Sequence, residues 1–287
     1  MRYASRFLCA IFALALALST VPAKGIDASI FTVDDMLDVV SVNISDLSSD
    51  GRWLAAQAST LRDRIGIDNY RFGDPTYIAP QLSEVWIIDT QSAKTQKLFA
   101  DKRQVRLLRW SPDASRLAFF LLKGDRYEPM VWERAANKFT SINLPAGRYA
   151  AENSDLEWSQ DGSQILFALR TEEWRAKAKE KFAYETRGPV VSHSSREPFL
   201  AWDEMRRMSA LRSIVSYDLK TRNVREVLPE TKINSYNLAE DGSFISFLED
   251  ITKKTDYDVI FGAENQVRVL PSAGGQARTI LKSTKGI

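Results

Sequence analysis

Between Leu156 and Phe167 the chain reads LEWSQDGSQILF. A strand end closes on Trp158 and Ser159, a polar turn follows at Gln160-Asp161-Gly162, and Ile165 and Phe167 then alternate with Gln164 and Leu166. Gly tolerates positive φ and Asp bonds its own backbone, so the triplet is a tight turn. The alternation after it predicts a half-buried strand. The pattern recurs as ISDLSSDGRWLA over Ile44 to Ala55, LRWSPDASRLAF over Leu108 to Phe119 and YNLAEDGSFISF over Tyr236 to Phe247. Four copies of one strand–turn–strand unit make this a repeat sequence.

A second hairpin follows each copy. The strands are Ser83 to Ile88 and Thr95 to Phe99, Pro129 to Trp132 and Lys138 to Ile142, Ser213 to Tyr217 and Val224 to Leu228, and Asn265 to Leu270 and Ala277 to Leu281. Turn residues lie between the members of each pair. Four antiparallel strands per repeat is the plan of a propeller blade. The expected fold is therefore all-β, a partial β-propeller of about four four-stranded blades over residues 41–287. Asp113 to Asp161 is close to the roughly 40–50 residues of one blade, and the longer spacings place insertions near 61–82 and 170–208. Glu172 to Phe182 (EEWRAKAKEKF) has helix-forming composition, with breakers at Gly188-Pro189 and Pro198. Ahead of the blades, residues 24–40 are expected to hold a linker and a short helix. Thr32 is its N-cap, Asp34 and Asp35 suit its positive end, and Met36, Leu37, Val39 and Val40 give it an apolar face. With no further strand after Val267 to Leu281, an open edge is expected there.

The N-terminal hydropathy changes this picture. Arg2 and Arg6 precede an apolar run from Phe7 to Leu18, and Val21-Pro22-Ala23 offers small residues for a cut after Ala23. This is the layout of a signal peptide over residues 1–23 and is short for a membrane span. The expectation is an exported, periplasmic or secreted chain with no membrane span after cleavage; an uncleaved anchor is the other reading. Cys9, the only cysteine, lies in that leader, so the exported domain must rest on its core. The chain has 39 Lys and Arg against 37 Asp and Glu. Without Arg2 and Arg6 the two signs balance, which argues against a nucleic-acid partner.

Candidate chemistry is sparse. His193, the single histidine, sits in a polar loop with Ser192, Ser194 and Ser195 and reads as a solvated loop residue. Asp50, Asp113, Asp161 and Asp241 offer one turn carboxylate each, too few oxygens per segment for a calcium loop. Trp53, Trp110 and Trp158 are expected in blade cores or between blades, and Trp86 and Trp132 in the outer hairpins. No metal cluster, phosphate loop or dinucleotide fingerprint is present, so the site reading is no catalytic, cofactor or metal residue. A carbohydrate-active propeller enzyme would need convergent carboxylate pairs, which the sequence does not place.

Phe31 to Ala56 (FTVDDMLDVVSVNISDLSSDGRWLAA) resembles the start of the mature chain in exported bacterial prolyl-oligopeptidase-family serine peptidases of the dipeptidyl- and acylaminoacyl-peptidase kind. The W-S-x-D turns at Trp110 and Trp158 are similar to their propeller, and to TolB- and WD40-like propellers. The resemblance covers most of the chain after the leader. It implies a seven- or eight-bladed propeller followed by a hydrolase domain with a Ser-His-Asp triad on a G-x-S-x-G elbow. This sequence has no G-x-S-x-G and ends after about four blades, so it reads as a truncated member, inactive alone. The implied function is a non-catalytic propeller that gates short peptides toward the missing hydrolase domain. A self-standing TolB-like propeller that binds a protein or peptide in the cell envelope is the alternative. Dipeptidyl peptidases of the family hold a substrate's amino group with paired glutamates on a propeller insertion. Glu172-Glu173 matches that pattern, but it equally suits a helix N-terminus, with Lys177, Lys179 and Lys181 on an exposed face.

Overall fold

The computed structural model describes residues 31–194, 196–256 and 262–285; the leader and the start of the linker lie outside them. The chain divides into two compact units at Val39/Val40. In the first, helix α1 (Val33–Asp38) starts on a capping box in which Asp35 N–H donates to the Thr32 hydroxyl at 3.1 Å and Thr32 N–H to the Asp35 carboxylate at 2.8 Å. The expected apolar face is not buried: Met36, Val39 and Val40 are exposed and no residue of α1 is buried. At six residues the helix is held by its cap.

The second unit is a series of antiparallel sheets. Blade 1 pairs β1 (Ser41–Leu47), β2 (Trp53–Ser59), β3 (Glu84–Asp89) and β4 (Lys94–Lys97) in that order. Blade 2 pairs β5 (Val105–Trp110), β6 (Arg116–Lys123), β7 (Arg126–Glu133) and β8 (Lys138–Ser141). Blades 3 and 4 share one sheet, in the order β10 (Leu156–Trp158), β11 (Gln164–Thr171), β12 (Leu211–Asp218), β13 (Val224–Leu238), β14 (Phe244–Asp250), β15 (Asn265–Pro271) and β16 (Arg278–Leu281). They merge because β13 runs for 15 residues. Its first part pairs with β12, and from Ile233 onward it pairs with β14. A short β9 (Arg148–Ala150) adds to the far end of β11.

The turns explain the repeat motif. In blade 3 the Ser159 hydroxyl donates to Asp161 Oδ1 at 2.6 Å and accepts from Gln164 N–H at 2.9 Å, while Ser163 N–H donates to the same Oδ1 at 3.0 Å. Blades 1 and 2 repeat this with Ser48–Asp50 and Ser111–Asp113. Each aspartate is thus consumed by its own turn. In blade 4 Ala239 stands where the others have serine, and Ser243 alone supports Asp241, at 2.9 Å from N–H and 2.6 Å from the hydroxyl. The residue after the aspartate takes φ near +60°: +70° at Gly51, +65° at Gly162 and +71° at Gly242, but +56° at Ala114 in blade 2.

Packing between blades forms the core. Phe119 and Phe120, neighbours on β6, point to opposite faces and are both fully buried. Phe119 joins Val85, Ile87, Leu108 and Trp132 between blades 1 and 2. Phe120 joins Ile165, Phe167 and Tyr217 between blades 2 and 3. Leu166, Ala168 and Ile214 face Ile245 and Phe247 of blade 4. Burying one such phenylalanine contributes about 1.5–3 kcal/mol. Polar ties cross the same seams. Trp110 N–H donates to Asp46 at 2.7 Å, the Trp158 indole to the Arg109 carbonyl at 2.9 Å and Leu238 N–H to Glu157 at 2.7 Å.

Two departures from the expected pattern concern edges and insertions. β16 pairs only with β15, but β4 and β8 likewise pair on one side only, so an outer edge is common to the blades. What sets the terminal blades apart is a face: Val42, Ile44 and Leu47 on blade 1 and Phe244 and Ile280 on blade 4 remain exposed. The insertion after β11 holds the expected helix, α2, over Glu172–Glu185. It also holds α3 (Ala201–Ala210), which the sequence reading left out. Its polar residues Asp203 and Arg207 are buried against each other and Asp250, at 3.2 and 2.5 Å. The insertion after β2 carries two short 3-10 turns, Leu61–Arg64 and Asn69–Arg71.

Candidate functional site: a polar groove at the inner strands

The first strand of a blade is irregular in three of the four cases. Register shifts fall at Ile44/Asp46 in β1, Arg106/Arg109 in β5 and Ile233/Ser235 in β13. Such bulges bend a strand and re-aim its side chains. In β5 the bulge places Leu107 at φ +55°, a left-handed conformation costly for a branched side chain. Leu107 lines a groove of about 450 Å3 between blades 1 and 2, walled by Tyr77 to Ala79 of the first insertion and floored by Asn43, Gln57, Gln104, Arg106 and Glu152.

Two glutamines hold that floor rigid. Gln57 donates to Ser83 Oγ at 2.9 Å and to the Val105 carbonyl at 3.0 Å, and accepts from Ser45 at 3.1 Å. Gln104 donates to the Ala79 carbonyl at 2.9 Å and to the Tyr127 hydroxyl at 3.3 Å, and accepts from Gln81 N–H at 3.1 Å. Their amide groups are thereby committed to the protein.

The charged end of the groove differs. Arg106 donates to the Glu152 carbonyl and, at 2.9 Å, to the Ser154 carbonyl. Arg170, 1% exposed, donates to Glu152 Oε2, to the Ser209 carbonyl and to Asn153 Oδ1 at 3.0 Å, and its guanidinium lies 3.8 Å from the Trp174 ring centre. Glu152 Oε1 is buried and has no hydrogen-bond partner. Burial pulls the Arg106 and Arg170 guanidiniums below their ordinary range, partly countered by Tyr127 and Glu152 respectively. Burial likewise pushes the Tyr149 phenol up. Its hydroxyl also lacks a partner. Arg106 is the guanidinium that lines the groove, whereas Arg170 and the Glu152 Oε1 are buried. The groove holds no serine or cysteine nucleophile, and among the described residues no cluster of three or more His, Cys, Asp or Glu side chains is placed to hold a metal ion.

The residues singled out from the sequence lie elsewhere. His193 is not a solvated loop residue. Its side chain is 18% exposed, with Nε2 2.9 Å from Glu185 and Nδ1 3.4 Å from Glu197. The loop folds back on the end of α2, where the buried Glu185 carboxylate draws in the imidazole and, at 3.1 Å, Lys181. Ser194 Oγ accepts from Arg196 N–H at 3.2 Å; Ser195 lies outside the described residues. Glu172 is gripped through both oxygens by Arg126 of β7, and Glu173 pairs with Lys177 at 2.7 Å on the exposed helix face. The two carboxylates do not converge. Arg106, Glu152 and Arg170 went unmarked in the sequence. The one signal, for the two arginines, is a charged residue inside an otherwise apolar strand, as in VRLLRW and QILFALRT; Glu152 lies between strands and has none.

Comparison with known proteins places the fold. No family model matches the chain, and no curated protein matches it. Among solved structures, an oligogalacturonate lyase from Vibrio parahaemolyticus is similar with TM-score 0.53 and 14% identity, over 82% of this chain and 52% of that one. An acylaminoacyl peptidase from Pyrococcus horikoshii is similar with TM-score 0.51 and 10% identity, over 86% of this chain and 33% of that one. A puromycin hydrolase gives TM-score 0.50 and 11% identity, over 86% and 30%. The chain thus spans about half of the lyase and about a third of the two hydrolases. At such identities the likeness establishes the fold alone: an all-β, propeller-type arrangement of antiparallel blades.

Proposed function

We propose that this chain is the non-catalytic propeller portion of an exported serine peptidase of the prolyl-oligopeptidase type, and that it gates the access of short peptides to a hydrolase domain which this chain does not contain. The observation that carries the reading is the likeness to the acylaminoacyl peptidase, which takes in 86% of this chain but only 33% of that enzyme. The chemistry agrees: there is no G-x-S-x-G, and the one histidine faces two glutamates. Export rests on the leader through Ala23; among the described residues no helix is long and apolar enough to cross a membrane.

The test is to express this chain and, separately, the full product of its genomic reading frame, and to assay both on chromogenic di- and tripeptide amides and on casein. The expected result is no hydrolysis by the chain alone and hydrolysis by the longer product of the short substrates only. A reading frame with no hydrolase domain, or a longer product inert toward peptides, overturns the proposal and leaves the self-standing TolB-like envelope propeller in its place.

A further inference from the structure

We propose that the two uncovered blade faces of this chain are closed by a second copy of it, blade 4 of each packing on blade 1 of the other. The inference goes beyond the peptidase reading and does not rest on it; it states what these faces meet when the chain is by itself. The repeat identifies the faces. The fourth and sixth residues after the turn aspartate look back toward the preceding blade. They are Leu117 and Phe119 in blade 2, Ile165 and Phe167 in blade 3, and Ile245 and Phe247 in blade 4, all buried in a seam. In blade 1 they are Leu54 and Ala56. Strand pairing sets Leu47 and Ile88 beside Leu54, and Ile44 and Trp86 beside Ala56. Ile44 is 65% exposed, and Trp86 is only half-buried where Met130 and Trp132 of blade 2 are buried. The fifth and seventh residues look forward, to the next blade. Ala118 and Phe120 in blade 2 and Leu166 and Ala168 in blade 3 are buried there. In blade 4 these are Ser246 and Leu248, and Phe244 precedes them on the same face. Phe244 is 44% exposed and, with Val269, Pro271 and Ile280, lines an apolar groove of about 550 Å3. Exposed apolar surface of this extent marks an interaction site.

A second copy fits both faces at once. Each inner seam is a backward face laid on a forward face, and the copy carries the one of each kind that remains exposed. Two copies joined at both ends hold eight blades, within the roughly four to eight with which propellers close. A head-to-tail contact that closes gives a ring of fixed size. The polar ties continue in the same register. Asp46 and Glu157 lie two positions before Ser48 and Ser159, and they accept the N–H of Trp110 and Leu238 from the next blade, each at 2.7 Å. In blade 2 Arg109 holds that position, and its carbonyl accepts the Trp158 indole instead. In blade 4 the position belongs to Asn237, which is exposed and carries an amide oxygen that can accept. The residue of blade 1 that stands where Trp110 and Leu238 do is Leu47. The open end of blade 4 thus presents an acceptor at the place where the incoming blade presents the Leu47 backbone.

The experiment is size-exclusion chromatography with light scattering on the full chain, across a wide range of concentration. The expected result is a dimer that grows no further. Ile44→Glu and Phe244→Glu each place an unpaired carboxylate in both seams and should weaken the dimer about a hundredfold or more. Both positions are exposed in the single chain, so the far-UV spectrum should not change. Asn237→Ala removes one acceptor from each seam and should weaken the dimer about tenfold. Phe72→Glu, 87% exposed in the first insertion, is the control and should leave the mass unchanged. Mixing Ile44→Glu with Phe244→Glu should restore a dimer in part, through the one seam whose two faces are both intact. Faces joined to their own kind cannot do this. A monomer at every concentration, chains of growing mass, a dimer that ignores either glutamate, or a mixture that stays monomeric overturns the proposal. The two readings separate cleanly. A dimer whose longer reading-frame product is no peptidase sinks the gating alone. A monomer beside an active longer product sinks the ring alone.

Discussion

Arg212 at the start of β12 is the sharpest test of what holds blades 3 and 4 together. It is 1% exposed, and no ion pair joins it to a carboxylate among the described residues. Its partners are backbone carbonyls: Nε to Ile233 at 3.2 Å, Nη1 to Asn153 at 2.7 Å and Nη2 to Asn234 at 3.1 Å. Those carbonyls flank the bulge in β13 and the segment before β10, so one planar fork spans the seam between two blades. Arg212→Lys keeps the charge and most of the stem but replaces the fork with a single ammonium, which reaches one of the three carbonyls. Two charge-assisted hydrogen bonds are lost, each worth about 1.5–3 kcal/mol. Water and local relaxation recover part of that, leaving about 3 kcal/mol. For a domain of this size the melting temperature should fall by about 6–12 °C. The assay is far-UV circular dichroism melting at matched concentration, with the urea midpoint as a second readout. Arg225→Lys is the control, since Arg225 also donates to two carbonyls, Ala273 at 2.9 Å and Ser272 at 3.3 Å, but in an exposed position. It should move the melt by no more than about 2 °C. Equal shifts for the two variants, or an Arg212→Lys melt within about 2 °C of the parent, would refute the argument.

Further outcomes follow from the turns. Gly51→Ala meets no atom within 4 Å, so its whole effect is the backbone at φ +70°, and it should destabilise by about 1 kcal/mol. Ala114→Gly at the equivalent turn should be nearly neutral by the same melt, because the relief of φ +56° is offset by a lost buried methyl and a looser unfolded chain. Acid should loosen the turns: the Ser159 hydroxyl, then Ser163, hold the Asp161 carboxyl down to about 2, and the Arg52 guanidinium holds Asp89 to about 2. With folded values below the ordinary 3.8, their contribution is complete above that value and is lost as pH falls from 3.8 toward 2. Urea midpoints measured across that window should drop, and Ser159→Ala should shrink the Asp161 part of the drop.

Much of this protein was legible one residue at a time. The Asp-Gly turns, the strands on each side and the outer hairpins depend on φ preference, side chain-to-backbone bonds within five residues and a period of two, all of which are local. The capping box at Thr32 and the helix beginning at Glu172 are local in the same sense. The tertiary structure decided everything that depends on which strand lies beside which. Val42 and Ile44 are as apolar as Ile87 and Phe120, yet only the latter two are buried between blades. His193 looked solvated until the loop brought it to Glu185. Glu152 and Arg170 are 18 positions apart and Arg106 lies farther still, so no spacing rule links the arginines of β5 and β11 to the one glutamate, between β9 and β10, that both bond. Side-chain period and turn chemistry act over a few bonds and are written in the sequence itself, whereas burial, pairing and an unpartnered oxygen are properties of neighbours that only folding assigns.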